Sequence, residues 1–515
     1  MITWTGAVGR LAALSFRRHL IFAAIAGAVA ALGQAPVDLP WLGWLGFVGL
    51  AATILPLSTV RRAVWTGLVG GTAYFAVALN WIIEPFLIEP GQTGWMAPFA
   101  LVFMAGGLAL FWAAAAGLAV RLFATPWSRA LGWAALLSLA EYARANVLTG
   151  FPWAHPGHIW IDSAGLTLAA WIGPHGLTLI TLFSAALCAA ALSRRSWLAV
   201  LGPAVLVVAG GIGGLIPAAP IVPLDAPIVR LIQPNAAQQL KWLPDMVPVF
   251  FRRSLQLTAA APLDGIPELV VWPETSLPPI LSRSEAWREQ IALAAGSAHV
   301  VLGAQRFEGV RVRNSLVHLT SDGAIADVYD KHHLVPFGEY LPFADLLAGT
   351  GLRGLAANNL AGYEPGDGPT LIALPGLGRA FVMICYEAIF PSYIRAVERP
   401  DWMLHITNDA WFGQLSGPYQ HLALARLRAA EQGLPVLRSA NTGVSAVIDA
   451  RGQILASLEL DVSGYLDARL PPPLPATIYS RSGDAPTLAL IALLFAFAAL
   501  RGRKTPPIDQ RREPA

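Results

Sequence analysis

The chain has 515 residues, of which 13% are charged and 55% are apolar, and its formal net charge is +3. The mean hydropathy of +0.54 excludes a disordered chain. It also excludes an ordinary soluble enzyme, because the apolar residues are concentrated in long runs. The small net charge gives no sign of a nucleic-acid binder, and two cysteines exclude a disulfide-rich scaffold.

Long apolar runs fill the N-terminal part of the chain and recur near its C-terminus. A helix needs about 20 residues to cross the hydrocarbon of a bilayer. The first run follows Arg17 and Arg18 in the manner of a signal peptide, but six further runs come directly after it, which favours a retained span. We therefore predict eight membrane spans, at residues 20–34, 41–59, 63–85, 95–120, 130–145, 176–193, 197–217 and 485–500.

The stretch between the seventh and eighth runs has a different composition. It holds 20 of the 35 Lys and Arg residues, and its apolar runs are short. Helical stretches at 285–295 and 421–432 alternate with these runs, and turn signals at 321–323 and 449–452 indicate hairpins. The runs that are typical of β-strands are 229–232, 269–272, 299–302 and 381–384.

These compositions predict three parts. Residues 1–217 form a membrane domain with seven transmembrane helices, and residues 218–484 form one sizeable domain of mixed α and β structure. Residues 485–515 contain the last transmembrane helix and a polar tail.

Basic residues alternate between successive loops of the predicted membrane domain. They precede the first span, lie in the loops after the second, fourth and sixth spans, and follow the eighth. The intervening loops at 35–40, 86–94 and 146–175 contain neither Lys nor Arg. Since cytoplasmic loops are enriched in these residues, the termini are predicted to be cytoplasmic and the 218–484 domain to lie outside.

Cys385 is the one cysteine of the predicted α/β domain, whereas Cys188 lies inside an apolar run as a small buried residue would. Cys385 follows the strand-like run 381–384, and α/β folds place ligands and nucleophiles at strand ends. A free thiol there is either buried and inert or functional. Glu274 and Lys331 also follow strand-like runs, so one sheet edge could gather all three.

Such a cluster would suit nucleophilic catalysis by a thiol. Glu274 would take the thiol proton, and Lys331 would hold the oxyanion and lower the thiol pKa. The pattern alone does not select these two residues from the other Glu and Lys residues of the domain.

Three stretches resemble the signature blocks of the nitrilase superfamily, namely 271–275, 329–340 and 384–387. That superfamily uses a Glu–Lys–Cys triad on a four-layer α-β-β-α sandwich. Over almost its full length the chain resembles the apolipoprotein N-acyltransferase family, whose members have eight spans and an extracytoplasmic nitrilase-like domain before the last. Further matching stretches are 148–153, 233–235, 240–242, 408–413, 417–426, Arg438 and 441–443.

The resemblance implies a fold and a set of site residues. The fold is a polytopic α-helical membrane domain of about eight spans plus an α/β nitrilase-like α-β-β-α sandwich that carries the catalytic site. By position, Glu274 corresponds to the general base, Lys331 to the oxyanion-stabilising lysine and Cys385 to the nucleophile. The resemblance also implies substrate-binding or supporting roles for Trp242, Glu339, Tyr386 and Glu387.

The implied activity is an acyl transfer of lipoprotein maturation in the bacterial inner membrane. The sn-1 acyl chain of a phospholipid, commonly phosphatidylethanolamine, would pass through a Cys385 thioester. The acceptor would be the α-amine of the diacylglyceryl-cysteine at the N-terminus of an apolipoprotein. We expect a monomer without cofactor, metal or nucleic acid, and a catalytic domain on the periplasmic side.

Three alternatives stay open at this point. A membrane-tethered amidase or nitrilase would share the triad, and a transporter with an accessory domain would share the spans, although these are nearly free of charge. A metal site could be drawn from His332, His333, His405 and His421, but no recognised ligand spacing connects them.

We also predict that the apolar, Gly-rich loop 343–352 is a mobile, membrane-dipping lid over Cys385.

Overall fold

The computed structural model describes residues 10–11, 13–194, 196–309, 311–342 and 362–502 of the chain. The loop 343–352, which the sequence predicts to be a lid, lies outside these described residues. An N-terminal group of apolar helices, called here the helical part, precedes two β-sheets, and one further apolar helix follows the sheets.

Each of the eight predicted spans falls on a helix. Their apolar residues continue over several helical turns, which is the pattern of a helix buried on all sides. The eighth helix lies at Ala485–Gly502, after the sheets. The seven that precede the sheets are α1 (Phe16–Ala31), α2 (Pro40–Ile54), α3 (Val60–Ala78), α4 (Ala97–Leu122), α5 (Pro126–Asn146), α6 (Ala169–Leu192) and α7 (Leu201–Gly213).

Length separates these helices into two groups. Among the described residues, two helical stretches are long and apolar enough to cross a membrane, Pro90–Leu122 and Ala164–Leu192. A third span results if α3 and the turn Asn80–Leu87, which are bent by 52° at their junction, are taken together. Of the eight predicted spans, two are therefore long enough in the described residues to cross a membrane, or three if the bent pair is counted as one span. Apolar helices of shorter length lie at Pro40–Ile54, Trp197–Gly213 and Ala485–Arg501.

Helix α5 buries a carboxylate that the sequence placed near the end of a span. Trp112 Nε1 lies 2.7 Å from Glu141 Oε1, and Arg144 Nη2 lies 2.6 Å from Glu141 Oε2. His155 Nδ1 lies 2.7 Å from the same Oε2 atom. Burial of a charge is tolerated only where it is paired and hydrogen-bonded. These contacts tie the loop after α5, which contains His155, to the helices.

In the described part of the chain, the sheets have six strands each. The strands are β1 (Ile228–Gln233), β2 (Leu269–Val271), β3 (His299–Glu308), β4 (Arg311–Leu319), β5 (Ile325–Asp330), β6 (Leu371–Leu374), β7 (Gly378–Ile384), β8 (Trp402–Thr407), β9 (Val436–Ala440), β10 (Ala446–Ile448), β11 (Ile454–Ser457) and β12 (Gly464–Arg469). The first sheet has the order β12-β1-β2-β3-β4-β5 and the second the order β11-β10-β9-β8-β7-β6. Strands β1 to β3 are parallel, and so are β7 to β9.

The two sheets pack face to face, and helices cover the outer faces. Phe251 and Ile291 from two helices share an apolar cluster with Val270 of the first sheet. On the other side, Ala425 packs in a cluster with Met403 of the second sheet. This is the α-β-β-α sandwich that the resemblance to the nitrilase superfamily implies. The covering helices are α8 (Val247–Thr258), α9 (Glu285–Ala295) and α10 (Gly417–Gln432).

Contacts between the sheets bring one set of strand ends together. The Ser439 hydroxyl of β9 lies 3.0 Å from the Ile232 carbonyl oxygen of β1 and 3.2 Å from the Val271 carbonyl oxygen of β2. Because parallel strands end at the same edge, the carboxyl ends of β1 to β3 and of β7 to β9 face each other across the sandwich. After β12, α11 (Ile478–Ser482) and α12 (Ala485–Gly502) lead back to the helical part.

A buried ion pair joins the two outermost strands at the β12 edge of the first sheet. Arg230 Nε and Nη2 each lie 2.7 Å from an oxygen of Asp467, which is the residue opposite it in the register of β1 and β12. Both side chains are almost fully buried, with exposures of 2% and 0%. Arg230 Nη1 also donates to the Thr258 carbonyl oxygen at the end of α8, 2.7 Å away.

Substitution of Asp467 by Asn should destabilise the sandwich, because it leaves the Arg230 charge buried without a counter-charge. Loss of one partner of a buried pair costs about 3–5 kcal/mol. We expect the thermal unfolding temperature in detergent to fall by at least about 6 °C. Glu364→Gln is the matched control, because its partner Arg311 is 64% exposed, and it should change little. Equal shifts for the two variants would contradict this assignment.

Candidate active site

The three residues predicted for catalysis lie at strand ends on the same edge of the sandwich. Lys331 follows β5 directly, Cys385 follows β7 directly, and Glu274 comes three residues after β2. Lys331 Nζ lies 3.8 Å from Glu274 Oε1. Cys385 interacts electrostatically with both of them. The structure thus brings together the acid, the ammonium and the thiol.

Cys385 lies in a sharp turn from strand to helix. Its φ angle is +51°, a conformation that residues other than glycine rarely adopt, and it begins the short helix Cys385–Ile389. The thiol is buried, and the Thr407 side chain lies beside it. Burial raises the pKa of the thiol, as does the Glu274 carboxylate, and the Lys331 ammonium offsets only part of this increase. Lys331 thus lowers the thiol pKa, as the sequence predicts, but burial outweighs its effect.

Glu274 is a buried carboxyl group with two hydrogen-bond donors. Asn314 Nδ2 donates to Oε1 over 2.7 Å, and the Asn408 backbone N–H donates to Oε2 over 2.9 Å. Burial raises the pKa of Glu274, and the Lys331 ammonium compensates only in part because a second carboxylate, Glu339, is also close. A carboxyl group with a raised pKa is suited to both accepting and returning a proton.

Lys331 is held as an ammonium ion between carboxylates. Its Nζ lies 2.9 Å from Glu339 Oε1 and 2.8 Å from Glu339 Oε2. Burial lowers the pKa of Lys331, but the charges of Glu339 and Glu274 outweigh it and raise the pKa above its ordinary value. The Val335 backbone N–H donates to Glu339 Oε2 over 2.8 Å and so fixes that carboxylate.

Glu387 ties the end of β5 to the end of β7. Its Oε1 accepts hydrogen bonds from the backbone N–H groups of His332 and His333, over 2.8 and 3.2 Å. Its Oε2 accepts one from the Ile384 backbone N–H over 2.8 Å, and Tyr329 OH donates to Oε1 over 2.8 Å. Since these donors flank Lys331 and Cys385, the carboxylate fixes the distance between the two strand ends.

The other two predicted residues lie at the margins of the cluster. The Tyr386 hydroxyl donates to the Gly150 carbonyl oxygen of the helical part over 3.3 Å. Trp242 is 42% exposed. Its neighbour Lys241 is buried and donates to Thr275 Oγ1 over 3.0 Å, next to Glu274.

Sequence reasoning missed several buried polar residues of the site. Asn314 gave no distinct signal, because its neighbours in β4, Arg313 and Ser315, are also polar. The four histidines considered as metal ligands have other contacts. His405 and His421 approach the Cys385 carbonyl oxygen, His332 approaches Glu387, and His333 approaches the Tyr393 hydroxyl. Within the described ranges, no group of three or more His, Cys, Asp or Glu side chains is placed to hold a metal ion.

Replacement of Glu274 by Gln tests the electrostatic balance at the thiol. Removal of this negative charge should lower the thiol pKa, which in the wild type lies above its ordinary value of 9.0. We expect alkylation of Cys385 by iodoacetamide to keep rising above pH 9 in the wild type and to reach its midpoint at lower pH in Glu274→Gln. Cys385→Ser gives the background from Cys188. A midpoint that stays or rises would contradict the arrangement.

Comparison with known proteins agrees with both parts of the chain. A family model described as Carbon-nitrogen hydrolase matches residues 236–474, and one described as Apolipoprotein N-acyltransferase N-terminal domain matches residues 26–187.

Relatives named Apolipoprotein N-acyltransferase match nearly the whole length. The protein from Caulobacter vibrioides is 39% identical, over 92% of this chain and 92% of its own. That from Rhodopseudomonas palustris is 37% identical, over 97% and 98%. That from Bradyrhizobium diazoefficiens is 36% identical, over 94% and 95%. The chain therefore belongs to the apolipoprotein N-acyltransferase family, and its sandwich is a carbon-nitrogen hydrolase domain.

Proposed function

We propose that the protein is an acyltransferase of lipoprotein maturation. It transfers the sn-1 acyl chain of a phospholipid, in the first instance phosphatidylethanolamine, to the α-amine of the N-terminal diacylglyceryl-cysteine of apolipoproteins. The observation that carries the proposal is the buried cluster of Glu274, Lys331 and Cys385 in a chain that matches named acyltransferases over nearly its whole length.

The first half-reaction forms a thioester. Glu274 accepts the thiol proton as the Cys385 sulfur attacks the ester carbonyl carbon of the phospholipid. The negative charge that develops on the carbonyl oxygen is stabilised by the Lys331 ammonium and the Tyr386 backbone N–H. The Tyr386 N–H lies in the first turn of the helix Cys385–Ile389, where N–H groups lack an intrahelical acceptor, so it can donate to the substrate oxygen. The C–O bond then breaks, and Glu274 returns the proton to the departing lysophospholipid.

The second half-reaction regenerates the thiol. The α-amine of the acceptor cysteine attacks the thioester carbonyl, and Glu274 accepts a proton from the amine nitrogen. The C–S bond breaks, an amide forms, and Glu274 returns the proton to the Cys385 sulfur. The proton taken up in each half-reaction is thus returned within it, so no cofactor is required.

Burial of the cluster suits this chemistry. Water that entered the site would hydrolyse the thioester, and a dry environment strengthens the attraction between Lys331 and an oxyanion. The donor chain also favours a site at the bilayer, because transfer of a long acyl chain into water would cost roughly 10 kcal/mol or more.

A membrane-tethered amidase of the nitrilase type is not favoured. Such an enzyme would use the same three residues but would have no need of matched helices. Here the family match includes residues 26–187, and the helical part contacts the site itself through the bond between Tyr386 and Gly150.

Intact-mass analysis of the purified protein after incubation with phosphatidylethanolamine tests the activity. We expect a hydroxylamine-labile acyl adduct on the wild type, absent from Cys385→Ala, and its discharge by a diacylated lipopeptide. Discharge by water alone would indicate a lipid hydrolase. A folded wild type that forms no adduct would contradict the lipid donor.

We also propose that the protein is a multi-pass inner-membrane protein with eight spans and its catalytic domain, residues 218–484, on the periplasmic side. The alternation of basic and uncharged loops supports this orientation. The shorter apolar helices are extended by apolar flanking residues, and bilayers adapt to short spans at modest cost.

Labelling of single cysteines tests this topology. In a Cys188→Ala, Cys385→Ala background, Asp322→Cys places a thiol in the exposed turn between β4 and β5, and Ser58→Cys places one between α2 and α3. We expect a membrane-impermeant maleimide to label the first variant but not the second in intact spheroplasts. The reverse result would rule out a periplasmic catalytic domain.

A further inference from the structure

Gln420 on α10 joins the sandwich to the helical part. Its side-chain Nε2 donates to the carbonyl oxygens of Ala35 and Ala78, over 3.0 and 2.8 Å. Its Oε1 accepts from Trp81 Nε1 over 3.2 Å and from Trp153 Nε1 over 2.7 Å. An amide can donate two hydrogen bonds and accept two, so this buried side chain is fully satisfied by the helical part.

His421, the next residue, faces the nucleophile. Its Nε2 lies 3.1 Å from the Cys385 carbonyl oxygen, and its Nδ1 lies 2.9 Å from Asp409 Oδ1. Its fully buried ring also packs against Trp153, with 5.5 Å between the ring centroids. One indole of the helical part therefore contacts both Gln420 and His421.

His405 holds the same carbonyl from the second sheet. Its Nδ1 lies 2.8 Å from Arg438 Nη1, and because guanidinium nitrogens only donate, Nδ1 accepts and Nε2 carries the proton. That Nε2 donates to the Cys385 carbonyl oxygen over 3.2 Å. His421 lies between two acceptors, the Asp409 carboxylate and this carbonyl, so its ring donates to both only as the imidazolium that pairs with Asp409. The His405 and His421 rings then hold one carbonyl group together.

A fixed carbonyl also fixes the N–H group of the same peptide unit. The peptide is planar and trans, so the Tyr386 N–H points opposite to the Cys385 carbonyl. Any rotation of this unit would turn the N–H away from the substrate oxygen. The positive φ angle of Cys385 also costs conformational energy, so surrounding contacts must hold this turn in place.

We propose that Gln420 and His421 are positioning residues. Gln420 holds the sandwich against the helical part, and His421, next to it, then holds the Cys385 carbonyl so that the Tyr386 N–H keeps its orientation toward the substrate oxygen. The inference rests on the proposed acyl transfer and adds to it that the oxyanion site is complete only when the two parts are docked. An active site built in this way acts on acyl donors at the membrane and stays inactive in a detached sandwich.

The test compares two reactions of Cys385 in the intact protein in detergent. Acylation by p-nitrophenyl butyrate, followed as the burst of p-nitrophenol, passes through an oxyanion, whereas alkylation by iodoacetamide does not. Gln420→Glu keeps the shape and the acceptor oxygens but lacks the two N–H donors. Ser416→Ala is the matched control, because its hydroxyl bonds Asn80 of the helical part over 2.9 Å without an adjacent contact to Cys385.

We expect Gln420→Glu to slow the acylation burst at least tenfold and to leave the alkylation rate within about threefold, with the ester concentration at half-maximal rate unchanged. Ser416→Ala should stay within twofold in both reactions. His421→Phe should slow acylation about a hundredfold, and His421→Gln, which retains an N–H near the Nε2 position, should recover most of it.

Equal losses in acylation and alkylation, or a Gln420→Glu variant no slower than Ser416→Ala, would overturn the proposal. If Gln420→Glu does not fold, Trp153→Phe removes one bond to Gln420 and should slow acylation by threefold or more. Because the butyrate ester needs no lipid, a wild type that reacts with it but not with phosphatidylethanolamine would contradict the proposed function and leave this inference intact.

Discussion

The rest of the site depends on the ammonium of Lys331, buried to 1% exposure between two carboxylates. A buried cation is tolerated only with counter-charges, and Glu339 and Glu274 supply them. Burial raises the pKa of Glu274 by more than Lys331 lowers it, and the Glu274 carboxylate in turn adds to burial in raising the pKa of the Cys385 thiol. The thiol is therefore protonated in the free enzyme, and a neighbouring base must remove its proton before the sulfur can attack.

The helical part, besides containing the proposed membrane spans, forms one wall of this site. The loop after α5 is fixed by the buried Glu141 cluster, and the same loop supplies the Gly150 carbonyl oxygen that accepts from Tyr386 and the indole of Trp153 that contacts Gln420. The buried Glu141 cluster thus fixes the conformation of a loop that contacts Tyr386 and Gln420, which lie close to the nucleophile.

The sequence predicted those features that depend on neighbours along the chain. Strand ends are visible as apolar runs, so the sandwich and the gathering of Glu274, Lys331 and Cys385 at one edge followed from the pattern and the family motifs. Asn314 and Gln420 were missed because their partners lie 40 and 339 residues away in the chain. Apolar runs likewise predicted eight helices, but not the breaks in them, such as the one at Gly173 and Pro174 in α6 or the 52° junction after α3.

Two carboxyl groups lie close to Cys385, and their surroundings move their pKa values in opposite directions. Burial raises the pKa of Asp409 less than Arg438 and His421 lower it, which leaves it at about 2. Glu274 has Glu339 as well as Lys331 beside it, so burial prevails and its pKa is raised. A carboxylate with so low a pKa is a poor proton acceptor, and Asp409 instead holds His421 and Arg438 in place. A group whose proton affinity is closer to that of the thiol can exchange a proton with it, as Glu274 can. The different surroundings of the two carboxyl groups therefore give Asp409 a structural role and Glu274 the role of proton transfer.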